Sequence, residues 1–486
     1  MKKFVLLLLT IVMILLCVGC GNRNAPDTGP ESKVVLAEVI EIDGDTVLVK
    51  PEDGSSELRS SDQYAIPKER IRDDIDLKSG MWLQIFYSGS IEESYPATFV
   101  GLKSISVAEW AGRRDAVDEE TIAEANEEDP ENIALKDACS DYFLLGVGIN
   151  GSSLDNLTTY DDEYMALVKE HFNSVTMSNL MKPCYILQQK ESMESADGMP
   201  VLDFTTIDDT LQWCMENDMK MRGHTLVWHT QTPEWFFRED YEEDGAYVDK
   251  ETMLARMESY IRQMLEHVQE EYPGVIYCWD VVNEAVDPES GDSDTDFLCR
   301  TAINGEPNPW YVTIGSDYVE AAFYYARQYA AEDVKLFYND YNTYELTKRD
   351  AICNLCAHLK EEDLIDGIGM QGYWGIDYPN IVAITSAITA FSELDLEIQI
   401  TELSVGVDEE TPEAFEQQAK RYRSIFVNLQ PLDTQGGGDC NITSVTFFGL
   451  KDHYTPGDKT NARLFDTDCN PKPAFDAVLQ TFQMFY

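Results

Sequence analysis

Two hydrophobic rhythms run along the chain, and the change from one to the other divides it. Residues 34–42, 45–50, 81–87 and 98–107 alternate apolar and polar positions or run β-branched, with Gly44, Gly54, Gly80 and Gly89 between them. That is the period-two pattern of short strands separated by turns. It predicts a small all-β domain over 34–107, most simply a closed barrel, because an open sheet of this size leaves unpaired edges. From residue 135 onward, strand-like runs alternate with segments of helical period. Eight runs occur, at 143–149, 173–177, 221–228, 276–283, 336–339, 367–371, 397–402 and 442–449. Helices are expected over 164–171, 206–216, 252–269, 318–330, 350–359, 381–391, 413–429 and 473–485. This alternation fits an α/β fold of the (β/α)8 TIM-barrel type over 135–486 better than a doubly wound sheet, which would also want a Gly-rich phosphate turn after its first strand.

The remaining segments follow neither rhythm. Lys2 and Lys3 precede an apolar run from 4 to 18 broken only by Thr10, the charged and hydrophobic regions of a secretory signal, too short to span a bilayer comfortably. The run ends Cys17-Val18-Gly19-Cys20, which resembles a bacterial lipobox. Residues 1–20 are therefore expected to be a lipoprotein signal, with Cys20 lipidated and the protein extracellular, anchored to the outer face of the bacterial cell membrane. Simple secretion and an uncleaved anchor are the alternatives. Residues 21–33, rich in Gly, Asn, Pro, Asp and Ser, read as a flexible tether. Residues 108–134 read as a linker whose stretch 115–131 is acidic with no Lys or Arg. The small β-domain resembles OB-like domains of Gram-positive lipoproteins, as a spacer or partner-docking module.

Charge narrows the partners. Lys and Arg total 36 against 89 Asp and Glu, a formal net charge of −53, which repels nucleic acid and anionic membrane faces and leaves neutral substrates unaffected. An odd number of cysteines follows Cys20 and no short spacing repeats, so this is not a disulfide scaffold. Cys353 and Cys356 have the spacing of a redox pair, but they fall in an amphipathic helical pattern and read as buried thiols.

In a (β/α)8 barrel the C-terminal strand ends face the site. Glu284 ends the fourth run and Glu402 the seventh, strands that face each other across the barrel, so both carboxylates can point into one cleft, as glycosidic bond cleavage requires. His224 and His229 are five apart, a spacing that on a strand puts them on opposite faces, and no Cys or Asp cluster completes a metal site. The stretch Asp292-Ser293-Asp294-Thr295-Asp296 lacks the Gly of a calcium loop and reads as a solvated loop.

Trp279-Asp280-Val281-Val282-Asn283-Glu284-Ala285 and Ile400-Thr401-Glu402-Leu403 resemble the acid/base and nucleophile motifs of glycoside hydrolase family 10, the endo-β-1,4-xylanases. Residues 222–233, Tyr338-Asn339-Asp340-Tyr341-Asn342, Gly369-Met370-Gln371 and 173–183 resemble four more of its motifs, in order, and the likeness covers about 135–486. It implies a retaining enzyme without metal or cofactor, acting on xylan or xylo-oligosaccharides as a monomer, with membrane contact only through the lipid. Glu402 would be the nucleophile and Glu284 the acid/base. Asn179, Lys182, His224, Trp228, Gln231, Asn283, Tyr341, Gln371, Tyr373 and Phe448 would bind substrate, Trp228 by stacking and Asn283 through the sugar 2-hydroxyl.

Several positions depart from the family. Tyr373 stands for the usual His, Ser404 for the usual Asp, and Ser178 for the usual Glu. Phe448 and Thr455-Pro456 thin an aromatic ceiling of two tryptophans. The lost His and Asp form a relay supporting the nucleophile. Tyr373 is expected to donate to Glu402, and Ser404 to orient Tyr373. Two alternatives stay open beside the xylanase: a hydrolase of another β-linked glycan, and a surface glycan-binding protein on a retired barrel.

Overall fold

The structure is a computed structural model that describes residues 33–44, 46–51, 56–71, 77–87, 90–92, 95–102, 104–107, 133–149, 157–407, 409–452 and 461–483. The signal segment with Cys20, the tether up to residue 32, most of the acidic linker and Thr455-Pro456 lie outside the described residues. The chain divides into two compact units, each described by itself.

The small unit is all-β. Strands β1 (Lys33–Asp43), β2 (Thr46–Pro51), β3 (Tyr64–Pro67), β4 (Trp82–Tyr87), β5 (Ser90–Glu92), β6 (Thr98–Val100) and β7 (Ser104–Val107) form an antiparallel sheet in the order β3-β2-β1-β4-β7 and a β5-β6 hairpin. β4 pairs Ile85 with Ile105 of β7 and β5 pairs Ile91 with Phe99 of β6, so both ladders keep one register. The residue before β6, Ala97, meets the other edge of the sheet. There Ala65 N donates to Ala97 O and Ala97 N to Gln63 O, each at 2.9 Å, which gives edge strand β3 a partner. The alternate residues Val35, Ala37, Val39, Val47, Val49, Leu83 and Ile85 fill the interior, as period two demands. β3 and β5, with four and three residues, escape the sequence pattern because so few positions alternate in them.

The large unit is a closed (β/α)8 barrel. Its strands are Leu144–Ile149, Ser174–Met177, Lys220–Trp228, Ile276–Asn283, Lys335–Asp340, Gly367–Met370, Glu397–Val405 and Ile442–Phe447. All neighbours pair parallel, and the eighth closes on the first through Val445 opposite Leu145. Each expected run holds a strand, with bounds moved by up to three residues. The long helices follow, among them Lys250–Glu271, Leu346–Glu361 and Pro412–Leu429. Their starts obey local chemistry: Asp161, Asp249, Asn380 and Thr411 each accept a backbone N–H of the first turn, filling a donor the helix cannot use.

A layer of ions crosses the barrel interior below the site. Arg222 on the third strand grips Asp280 on the fourth through Nε and Nη2, one edge of its guanidinium, and Nη1 donates to Gln399 Oε1 on the seventh at 2.5 Å. Arg222 and Asp280 are each 1% exposed. Burial opposes the Asp280 charge, but Arg222 and His224, whose Nδ1 lies 2.8 Å away, hold its pKa below the usual carboxylate value.

Candidate active site

Glu284 closes the fourth strand with a left-handed backbone, φ 59°, a conformation that costs a non-glycine residue about 1 kcal/mol or more. Two bonds hold it there: its N–H donates to Asn339 O at 2.9 Å and its carbonyl accepts from Arg300 Nε at 2.8 Å. The turn lifts the carboxyl out of the strand line. Oε1 accepts from Gln371 Nε2 at 2.8 Å and Asn283 Nδ2 at 3.2 Å, and Oε2 from Trp228 Nε1 at 3.1 Å. Burial, then the charge of Asp340, raise the Glu284 pKa above its ordinary value. Gln371 and Lys348 pull against the rise, and Glu402 adds to it.

Glu402 is 5% exposed on the seventh strand. Oε1 accepts from Asn339 Nδ2 at 3.1 Å and Oε2 from the Tyr373 hydroxyl at 2.6 Å. Asn339 joins the two carboxylates, since its Nδ2 also lies 2.9 Å from Asn283 Oδ1 while its own Oδ1 accepts from Thr401 at 2.6 Å. Gly369 leaves the room this needs: a Cβ there would come within 2.4 Å of Asn339 Oδ1. Desolvation of its hydroxyl, then the Glu402 charge, push the Tyr373 pKa well above the usual phenol value, so it remains a donor.

The other expected residues divide into those around this pair and those beside it. Lys182 Nζ lies 2.9 Å from Gln231 Oε1 and 3.4 Å from Asn179 Oδ1, so these three form one polar cluster at the ends of strands two and three. Lys182 also stands 4.6 Å above the Trp228 ring, so one face of the indole meets an ammonium and its N–H meets Glu284. Ser178 turns its hydroxyl to Ile149 O at 3.4 Å. Phe448 packs edge-on against Tyr373, 5.7 Å between centroids. Tyr341 lies on the fifth-strand loop, its ring 3.5 Å from Lys348 Nζ and its hydroxyl accepting from Arg300 at 3.1 Å.

Two expectations need correction. Strand alternation does not govern the histidines, because the third strand shifts register after His224, where a cis peptide joins it to Thr225, and His229 lies past the strand's end. The rings still reach different partners, His224 at Asp280 and His229 with Nε2 4.0 Å from Glu284 Oε2. Burial, then the charges of Arg300 and Lys348, push the His229 pKa down to about 3, so a neutral imidazole flanks the carboxyl. Secondly, the Ser404 hydroxyl does not orient Tyr373. It accepts from Arg463 Nη1 at 3.0 Å, and Ser404 meets Tyr373 through backbone pairing.

Asp340, Lys348, Arg300 and Arg463 carry structural work that the sequence reading gave to no residue. Lys348 and Asp340 pair at 2.7 Å with 2% and 0% exposure. A buried Asp ending an apolar strand is a legible sign of such a pair; Lys348 on a helix and Arg463 in a loop carry no such pattern. Cys353 and Cys356 carry free thiols, and Asp292 organises its loop by accepting from Asp294 N at 3.0 Å and Tyr311 at 2.6 Å.

Residues 134–481 match the family model Glycosyl hydrolase family 10. The chain belongs to glycoside hydrolase family 10. It is therefore an enzyme that hydrolyses glycosidic bonds. A Caldicellulosiruptor saccharolyticus protein named provisionally as an endo-1,4-beta-xylanase is 47% identical over 311 residues, 62% of this chain and 96% of that one. Endo-1,4-beta-xylanase B of Butyrivibrio fibrisolvens is 39% identical over 355 residues, 71% of this chain, which spans 53% of that relative. Among solved structures, the CBM22-1–GH10 modules of the Clostridium thermocellum endo-1,4-beta-D-xylanase 10B, complexed with xylohexaose, superpose with TM-score 0.66 at 28% identity, covering 93% of this chain and 82% of that one.

Proposed function

We propose that this family 10 enzyme is a retaining endo-β-1,4-xylanase, exported and tethered through a lipidated Cys20. The observation that carries the reading is the unequal environment of two carboxyls in one hydrogen-bonded cluster: Glu284 is raised in pKa by burial and by neighbouring charge, while Glu402 accepts from both Asn339 and Tyr373. Environments that separate two carboxyls also separate their roles. Glu402 attacks the anomeric carbon, the bond to the leaving oxygen breaks, and the Glu284 proton passes to that oxygen. In the second step Glu284, now anionic, takes a proton from water, the water oxygen bonds to the anomeric carbon, and Glu402 departs. Asn283, fixed by Asn339, reaches the 2-hydroxyl of the reacting sugar, and Asn179, Lys182 and Gln231 grip hydroxyls of the arm that is retained.

The altered rim, with Ser178 turned to the backbone and Phe448 against Tyr373, favours a looser fit to the retained arm and keeps a different β-linked glycan as the second reading. Reducing-sugar release from xylan and from mixed-linkage glucan, with the first product anomer followed by NMR, tests both. Release from xylan as the β-anomer is expected. An α-anomer overturns retention, and release from glucan alone overturns the substrate.

A further inference from the structure

The site divides by topology. With Glu284 on the fourth strand of a closed ring of eight and Glu402 on the seventh, strands five and six lie on one side of the line between them, and strands eight, one, two and three on the other. The polar cluster of Asn179, Lys182 and Gln231 belongs to the second side. The first side holds instead a pair of rings on the loops after strands five and six. Tyr378 is 59% exposed, while Tyr344 behind it is 9% exposed. Their centroids are 5.5 Å apart with planes at 85°, an edge-to-face contact.

The ring is exposed yet held. Gly375 N donates to Tyr378 O at 2.7 Å, closing a tight turn, and a Cβ on Gly375 would come 3.1 Å from that same carbonyl oxygen. Arg421, 8% exposed, donates to Gly375 O at 3.1 Å and also to Pro379 O. The Tyr344 hydroxyl donates to Asn342 Oδ1 at 3.2 Å. Tyr378 follows Tyr373, the donor to Glu402, by five residues, a chain reach of at most about 18 Å. A large ring fixed in place offers apolar area at small conformational cost, which suits the C–H face of a pyranose.

We propose that Tyr378, backed by Tyr344, is a stacking subsite for a distal sugar of the leaving-group arm. The assignment rests on the xylanase reading above. The reacting sugar must be oriented closely, which many hydrogen bonds accomplish, so the polar side holds the retained arm. The departing arm crosses loops five and six, where stacking can hold it without fixing each hydroxyl.

The test compares Tyr378→Ala and Tyr378→Phe with the parent on xylohexaose and on an aryl β-xylobioside, whose aryl group replaces every sugar of the departing arm. Tyr378→Ala is expected to lower kcat/KM on xylohexaose about 3- to 10-fold, the scale of one aromatic contact, and to leave the aryl substrate unchanged. Tyr378→Phe should match the parent on both. On reducing-end-labelled xylohexaose the Ala variant should cut less at bonds that leave the longest departing arm. Equal losses on both substrates, or lost cuts at bonds with the longest retained arm, overturn the subsite. A parent inactive on the aryl xylobioside overturns the xylanase reading instead. Calorimetric binding of xylohexaose to Glu284→Gln, with and without Tyr378→Ala, then decides the subsite apart from turnover: weaker binding supports it and equal binding overturns it.

Discussion

The Tyr373 hydroxyl donates to Glu402 Oε2 across 2.6 Å, so one oxygen of that carboxylate is held by a phenol from the loop after the sixth strand. Behind that phenol stands a backbone pair with Ser404, whose hydroxyl accepts from Arg463. Tyr373→Phe removes the donor and should lower kcat on xylan more than it raises KM, by about 10- to 100-fold if the bond is worth 1.5–3 kcal/mol, as for a charged partner. Ser404→Ala should act through Arg463, and a double-mutant cycle of Ser404→Ala with Arg463→Ala should show coupling of about 0.5–3 kcal/mol. Additive effects would mean that Arg463 does not act through Ser404.

Glu284→Ala and Glu402→Ala should each lower xylan turnover by several orders of magnitude and differ on activated substrates. Loss of the acid spares aryl glycosides with good leaving groups, and azide should rescue Glu284→Ala to a β-glycosyl azide. Glu402→Ala should show neither effect. Steady-state rates on an aryl xylobioside with and without azide check this, and equal losses for both variants would reverse the assignment of roles.

The basic limb of the pH–rate profile should follow deprotonation of Glu284, whose raised pKa owes its second-largest cause to Asp340. Asp340→Asn removes that negative charge and leaves Lys348 uncompensated, and both changes favour the charged form of Glu284. Its pKa should therefore fall, and the basic limb of kcat/KM should move to lower pH. The same change breaks a buried pair, at a cost of about 3–5 kcal/mol in stability, which denaturant titration would read.

His229 gives a separate acid-side signature. With its pKa pushed down from 6.5 to about 3 in the folded chain, the unfolded state binds more protons throughout that window. Stability from this group is present above about pH 6.5 and is lost as pH falls toward 3, by up to about 1.4 kcal/mol per pH unit. His229→Gln should flatten that part of the curve of unfolding free energy against pH. An unchanged slope would show that the imidazole does not stay neutral in the fold.

Cys20→Ala should release the protein from membranes while leaving specific activity on soluble xylan unchanged, if the anchor is a lipid. Fractionation of cells expressing the variant reads this directly, and persistent membrane association would favour the apolar run as an uncleaved anchor.

The barrel was legible because eight strand-like runs rich in apolar residues alternate with segments of helical period. Glu284 and Glu402 stand out because they close the motif-bearing fourth and seventh runs, which a ring of eight separates by only two strands on one side, near enough for one cleft. What escaped the sequence lies where contact depends on long-range register. Arg463 sits 59 residues beyond Ser404 in an unpatterned loop, and the short β3 gains a partner on its outer edge from Ala97, some 30 residues further on. The expected action of Ser404 on Tyr373 went astray for the same reason, because two adjacent backbones leave both side chains free to choose other partners.

The ionic tie of Arg222, Asp280 and Gln399 below the floor of the cleft spans strands three, four and seven, the strands that deliver Trp228, Glu284 and Glu402. Spacing between the two carboxyls is thereby set from beneath, by side chains that meet no substrate. Selection can then edit the rim loops one at a time, exchanging a His for Tyr373 or a Trp for Phe448, without re-solving the distance on which bond cleavage depends. In this barrel the chemistry and the taste for a particular glycan are written in different storeys, and only the upper one is open to revision.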